Sequence, residues 1–271
     1  MELERFRQLA HARFGIVLPE NAETFLNARL RGLMDTSGHR SLEALLTAAQ
    51  ADGQGDLFLD IIEQVSTNHS YFYREPAHFR FLATHALPDL EEMLAAKRSR
   101  DVRVWSAAAA AGEEAYSIVM AMRSYFGEHY KDLDAGVLAT DIAKRALRRG
   151  AHGVYRSAVF RNMPPEWHER FLEPAEEDSY RVVKAVRDDV MFRWLNLNGS
   201  LSQLRGGFHV IFCRNVMIYF DAPTRDRLVR TLADMLVPGG YLFIGHTDDS
   251  EHARMYLQQM RPAIFRKKAA A

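Results

Sequence analysis

Cysteine is almost absent from the 271-residue chain: Cys213 is the only one. A single thiol excludes an internal disulfide and a cysteine-based zinc cluster, and it fits a reducing compartment. Net charge is absent too, with 35 Lys plus Arg balancing 35 Asp plus Glu. That balance weakens a reading as a general nucleic-acid or anionic-membrane binder, although local charge can still matter. No stretch approaches the roughly 18 consecutive apolar residues of a membrane-spanning helix. The start, "MELERFRQLA", alternates charge with apolar residues instead of building the apolar stretch of a signal peptide. The expectation is a cytoplasmic protein without membrane insertion and without a nucleic-acid partner. Internal repeats and a GxGxxG loop are also missing. What is present, 48% hydrophobic and 26% charged residues, is ordinary globular composition, enough for one sizeable core and a smaller module.

Apolar residues recur at helical spacing through Leu3, Phe6, Leu9 and Ala10, then through Ala22, Phe25, Leu26, Leu30 and Leu33. Leu42 to Ala49 and Phe58 to Val65 continue the pattern, so residues 1–65 are predicted to form an all-helical module. After the polar and aromatic "STNHSYFYREPAHF", the pattern changes to strand and helix in alternation: "VRVWSA", "GEEAYSIVMAMRSYF", "GVLATD", "IAKRALRRG", and later "HVIFC", "APTRDRLVRTLADML" and "YLFIGH". Alternation of this kind predicts a parallel sheet with crossover helices. Between the two runs, "PPEWHERF" reads as a helix and "SYRVVKAVRDDVMFRWL" as short strands. An antiparallel insertion at about residues 154–194 is therefore expected, with residues 66–85 as a linker and 86–271 as the α/β domain.

In an open α/β sheet, ligands bind beyond the carboxyl ends of the strands, where the strand order reverses. The polar residues at those positions are Glu113 and Glu114, Asp141, and Arg214 with Asn215. Asp141 stands where a ribose-binding acid stands in such folds; an acid there also serves as a helix cap, and spacing does not separate the two. "WSAAAAAGEE" offers one glycine where a pyrophosphate cradle needs several, and alanine is disfavoured at the positive φ angles of such loops. Two carboxylates at the helix start would also repel a phosphate. Taken alone the alanines read first as packing between a strand and a helix. As a ligand loop they suit a cofactor with a cationic amine and no phosphate, and S-adenosylmethionine is such a molecule.

Several segments in order decide between these readings. "TNHSYFYREPAHF", "RVWSAAAAAGEEAYSI", "ATDIAKRAL", "GVY", "CRNVMIYFD" and "LVPGGYLFIGH" resemble the chemotaxis receptor methyltransferase (CheR) family over nearly the whole chain. The resemblance implies a helical N-terminal domain and a Rossmann-like class I methyltransferase domain with a small inserted β-subdomain. It implies a cofactor, S-adenosylmethionine, with S-adenosylhomocysteine as product, and methyl esterification of glutamates on bacterial chemoreceptors.

By the same resemblance, Asn68, Ser70 and Arg74 fall on the linker motif over the cofactor, and Glu114 and Asp141 on acids holding its amino-acid end and ribose. The cradle is Ala107 to Ala111. Asn196 and Leu197 border the adenine. Arg214, Asn215 and Tyr219 fall on "CRNVMIYF", with Asn215 and Tyr219 near the reactive methyl. Arg74 and Tyr219 are the expected catalytic residues, Arg74 either orienting the acceptor carboxylate or binding the cofactor's own. Ala110 and Ala111 replace the usual serine and threonine, and Ala115 the usual proline, which places cofactor affinity in question.

Arg29 and Arg31 beside the apolar stripe of the second helix suggest a basic edge for the acidic helices of a receptor. Cys213, ending an apolar strand, is expected in the core. His246 has no partner at metal-ligand spacing, so no metal is expected. Two other readings remain at this level: a small-molecule methyltransferase on the same fold, and a non-catalytic scaffold that holds cofactor or receptor.

Overall fold

The computed structural model describes residues 2–19, 21–51, 55–66, 70–248 and 251–269. Four helices open the chain: α1 (Glu2–Phe14), α2 (Ala22–Ser37), α3 (Leu42–Ala51) and α4 (Asp56–Val65). Each buries one stripe. Phe6, Ala10 and Phe14 of α1 meet Leu26 and Leu30 of α2 and Phe58, Ile61 and Ile62 of α4 in a core of their own. Phe58 organises it, with ring centroids 5.3 Å from Phe6 and 6.1 Å from Phe14.

The chain then passes through α5 (Pro76–Phe81), a π-helical turn over Leu82–Ala86, and α6 (Leu87–Lys97). This helical run continues past residue 85, where the linker was expected to end. Next come β1 (Asp101–Ala107), α7 (Glu113–Phe126), β2 (Asp134–Asp141) and α8 (Lys144–His152). A small antiparallel sheet follows, made of β3 (Val154–Arg156), β4 (Leu172–Pro174) and β5 (Ser179–Val182) in the order β3-β5-β4, with α9 (Pro165–Phe171) between β3 and β4 and α10 (Lys184–Arg187) after β5. The remainder is β6 (Val190–Trp194), β7 (Phe208–Cys213), α11 (Ala222–Met235), β8 (Leu236–Ile244), α12 (Glu251–Tyr256), β9 (Gln258–Arg261) and β10 (Ile264–Arg266).

The main sheet has seven strands in the order β6-β2-β1-β7-β8-β10-β9. The first five are parallel, and β10 is antiparallel to both neighbours. One part of the expected insertion is corrected here. Val190–Trp194 pairs parallel with β2, Asp141 opposite Trp194, as an edge strand of the main sheet. An edge strand is incompletely covered, and here Met191 at 54% and Trp194 at 44% lie exposed, so from sequence it is easily taken for part of an antiparallel hairpin.

Alternation assigns the two faces of the sheet. Val104, Val210, Phe212, Tyr241 and Phe243 face α5 to α7, while Trp105, Ile211, Cys213, Leu242 and Ile244 face α11 and α12. Strand order turns at β1, with β2 on one side and β7 on the other, and a crevice opens at the carboxyl ends of these strands.

The four leading helices are fastened beside that crevice. Asn196 Nδ2 donates to the Arg13 carbonyl at 2.7 Å and Asn198 Nδ2 to the Ala12 carbonyl at 3.3 Å, serving the end of α1. Val17 N donates to the Tyr219 carbonyl at 2.8 Å, and Lys144 and Arg145 reach Asp56 and Asp60 of α4.

Phe212 and Phe243 stack at 4.3 Å, both wholly buried at the centre of the sheet. Phe212→Ala should cost about 3–5 kcal/mol and lower the melting temperature by roughly 10 °C. Exposed Met255→Ala should leave it unchanged. Calorimetry of both variants checks this, and equal melting temperatures would contradict the layer assignment.

Candidate active site

The alanine loop joins β1 to α7 and forms the floor of the crevice. Ala108 and Ala110 adopt φ of 67° and 49°, the left-handed region in which a Cβ costs roughly 1–2 kcal/mol per residue. The aversion of alanine to such angles is thus overcome. Ala109 N donates to the Thr140 carbonyl at 2.8 Å, and Ala110 N to Asp141 Oδ2 at 2.8 Å, while Asp141 Oδ1 accepts from Ala143 N at 2.9 Å. Asp141 therefore holds the loop and the entry to α8 together, and still lines the pocket. Burial pushes its carboxyl above the usual range, and the backbone N–H groups of Ala143, Ala110 and Ile142 oppose that. Gly112 ends the loop at φ 91°, where an added Cβ would meet the Phe192 ring at 2.7 Å.

At the back of the crevice Arg214 is inserted with its side chain only 1% exposed. Its Nη1 lies 2.9 Å from Glu114 Oε2, its Nη2 2.6 Å from the Arg74 carbonyl and 3.2 Å from Glu75 Oε2. Glu114 Oε1 accepts from Ser106 Oγ at 2.7 Å. Both Glu114 oxygens are thus engaged within the protein, and each retains a lone pair for a further donor. Burial pushes the Glu114 carboxyl up, against the pull of Arg214 and Ser106. Burial alone would also raise Glu75, but Arg214, His78 and His246 together hold it below the usual range. Glu113, the neighbouring acid, is not among the pocket-lining residues; burial pushes it up to about 7.

Backbone strain gathers around this network. Tyr73, Glu75, Ala108, Ala110 and Asn215 are five of the eight non-glycine residues at positive φ among the described residues. Asn215 is held by Asp248, whose Oδ2 accepts from Asn215 N at 2.7 Å and Gly245 N at 2.8 Å. Strain of this kind persists only where the surroundings over-determine the backbone.

The crevice encloses about 850 Å³, its open mouth included. Of the residues singled out from sequence, Ser70, Arg74, Glu114, Asp141, Asn196, Leu197, Arg214, Asn215 and Tyr219 all line it. Asn68 lies outside the described residues. Ala107 is not among the lining residues; it closes β1, wholly buried, and the lining falls to Ala108, Ala109 and Ala110. The Asn196 side chain is also occupied by a structural task, receiving Asn198 N and donating to Arg13. Arg29 and Arg31 are exposed on α2 and do not line the crevice. Cys213 is buried at the end of β7.

Phe14 and Ile16 also line the crevice, as do Ile142 and Phe220, and sequence reading missed them. Phe14 looked like one more residue of a helical stripe. The partners of His246 were missed as well: folding stacks it on His78 at 4.8 Å and sets it 4.0 Å from Glu75. Glu75 and His78 are three residues apart, but His246 lies far along the chain, so no spacing rule joins it to them.

Residues 1–66 match the family model "CheR methyltransferase, all-alpha domain", and residues 68–264 match "CheR methyltransferase, SAM binding domain". The chain is 31% identical to a chemotaxis protein methyltransferase of Borreliella burgdorferi over 98% of this chain and 94% of that one. It is 36% identical to that of Escherichia coli over 92% and 84%, and 34% identical to chemotaxis protein methyltransferase 1 of Pseudomonas aeruginosa over 91% and 89%. The crevice fits the cofactor named by the family model. Phe14, Ile142, Leu195 and Leu197 make part of its wall apolar, as a purine would require, and the Asp141 and Glu114 carboxylates are acceptors that could hold hydroxyls and a cationic group.

The loop geometry has a measurable consequence. Ala108→Gly relieves a left-handed alanine, a gain of roughly 1–2 kcal/mol set against about 0.5–1 kcal/mol of lost chain entropy. Stability should hold or rise slightly. Ala109→Gly relieves nothing and should cost about 0.5–1 kcal/mol. Denaturant titration of the two variants checks this, and an equal loss in both would refute the strained loop.

Proposed function

Because the chain belongs to the CheR methyltransferase family, we propose that it transfers the methyl group of S-adenosylmethionine to glutamate side chains of bacterial chemoreceptors, acting in the cytoplasm as part of receptor adaptation. The observation that carries the reading is the juxtaposition of Asp141 and Glu114 with Arg74 and Tyr219 around one crevice at the turning point of the strand order. The bound cofactor supplies an electrophilic methyl on a cationic sulfur. A glutamate acceptor is already an anion at neutral pH, so no general base is required, and positioning with exclusion of water supplies most of the acceleration.

Asp141 and Glu114 serve binding in this scheme, the first as acceptor for ribose hydroxyls, the second for an ammonium. Arg74 presents its fork of donors to a carboxylate, the acceptor's or the cofactor's. Tyr219 shapes the wall beside the reacting carbon. Among the described residues no helix is long and apolar enough to cross a membrane, so the enzyme would meet membrane receptors from the aqueous side. Arg29 and Arg31 offer positive charge to the acidic methylation helices of such receptors.

Transfer of tritiated methyl to receptor-containing membranes, with no transfer to a metabolite extract, is the expected result. Cofactor binding in calorimetry without transfer to any receptor would leave a scaffold instead. Two residues sharpen the test. Asp141→Ala should weaken S-adenosylmethionine and S-adenosylhomocysteine alike by about tenfold or more, since bonds to a charged acceptor contribute roughly 1.5–3 kcal/mol each. Tyr219→Phe keeps the ring, should leave cofactor affinity within about threefold and should lower kcat. A folded Asp141→Ala protein with normal affinity would remove the ribose assignment.

Charge reversal tests the receptor edge. Arg29→Glu with Arg31→Glu should raise KM for receptor at low salt, where exposed charges are least screened, and leave cofactor affinity unchanged. Unaltered receptor kinetics under those conditions would exclude α2 from docking.

A further inference from the structure

His78 is a buried polar residue without its ordinary complement of bonds. Its side chain is 0% exposed, and neither ring nitrogen has a hydrogen-bond partner among the described residues. Leaving such a group unsatisfied carries a desolvation cost that a ligand would recover. Its Nδ1 lies 3.3 Å from Glu75 Oε2, the oxygen that also pairs with Arg214 Nη2 at 3.2 Å. His246 Nε2 is 4.0 Å from the same oxygen, and one donor atom from each of the three residues falls within 4.8 Å of the others.

We propose that Glu75, His78 and His246 form a binding site for one zinc-class divalent ion, separate from the cofactor crevice. Zinc binds nitrogen and carboxylate oxygen at about 2.0–2.2 Å, which places neighbouring ligand atoms of a tetrahedron about 3.3 Å apart. The His78–Glu75 separation already has that value. His246, 43% exposed, has room to turn so that its nitrogen, now within 4.8 Å of the other two donor atoms, closes to that spacing. Two imidazoles and one carboxylate leave the fourth position to water, as in three-ligand zinc sites.

The surroundings select the kind of ion. Glu75 acts as a like charge on Glu114 and Asp248, and Arg214 supplies one bonded cation. Magnesium and calcium prefer oxygen ligands, and the imidazoles favour zinc, cobalt or nickel. A second cavity, lined by His78, Arg80, His85, His246 and Arg261, gives a route from solvent. Its arginines oppose entry of an ion held by charge alone, which again favours one held by imidazole nitrogen.

Such an ion would share Glu75 with Arg214, which retains Glu114 and the Arg74 carbonyl. It would also tie the start of α5 to the segment after β8, fixing the backbone next to Arg74.

The test titrates the full-length, metal-free protein with Co2+ as a spectroscopic probe, followed by Zn2+ competition against a chelator of known affinity. One Co2+ per chain with the intense visible absorption of a four-coordinate site, displaced by one Zn2+, is expected. His246→Ala and Glu75→Gln should each weaken Zn2+ binding by about 100-fold or more, above the 10–100-fold typical of losing an outer-shell partner. His129→Ala, an exposed histidine elsewhere, should change nothing. His246 is half-exposed, so its variant is expected to keep the wild-type melting temperature and report binding from a folded protein. Absence of the four-coordinate spectrum in the wild type, or equal affinity in wild type and a folded His246→Ala variant, would overturn the assignment.

Discussion

A guanidinium withdrawn from water and set between two carboxylates constrains everything around it. Arg214 leaves the end of β7 and meets Glu114 at the first turn of α7 and Glu75 at the start of α5. Removing such charges from water costs several kcal/mol per ion, so the cluster is a poor source of net stability. Its effect is geometric. An Arg214 without Glu114 and Glu75 would be an uncompensated buried charge, and a Glu114 without Ser106 and Arg214 would be the same with opposite sign. The fold is therefore acceptable only when β1, β7, α7 and the segment before α5 reach one arrangement. That demand holds Tyr73, Glu75 and Asn215 in left-handed backbone conformations that they would otherwise avoid.

A second clamp works at the other side of the crevice. Asp141 gathers Ala110 and Ala143 with one carboxylate, doing with a hydrogen bond what glycine does elsewhere by lacking a side chain. The alanine loop therefore keeps a left-handed path and yet presents methyl groups to the crevice, a smoother and more apolar floor than serine and threonine would make. Neighbouring Glu114 adds negative charge, so floor and wall together favour a ligand that is partly apolar and partly cationic.

The leading helices take part in the site. Phe14 and Ile16 form part of the crevice wall, and the carbonyls at the end of α1 are satisfied by Asn196 and Asn198 of the α/β domain. Ile142 and Tyr219 pack in turn against the core of the four helices. A cofactor closed in by both parts would report on how they are docked, and the face offered by α2 would be linked to the crevice through this packing.

Much was legible in the sequence because it follows from local periodicity and order of motifs. The helical stripes around Phe6, Leu30 and Phe58, the alternation of strand and helix after residue 100, and the placing of Glu114, Asp141 and Arg214 after strand ends are properties of short segments. The edge position of Val190–Trp194 was not, since an incompletely covered parallel strand reads like a hairpin strand. Nor was the left-handed path of Ala108 and Ala110, which depends on donors and acceptors thirty residues away in Thr140 and Asp141. Only the tertiary structure put Phe14 in the crevice wall and brought His246 to the local pair Glu75 and His78, because neither contact has a period or spacing along the chain. Sequence by itself determined which surfaces needed burial and which chemical groups were available. The close approach of distant strand ends decided which of those groups share one dielectric environment, and therefore which of them act on one another.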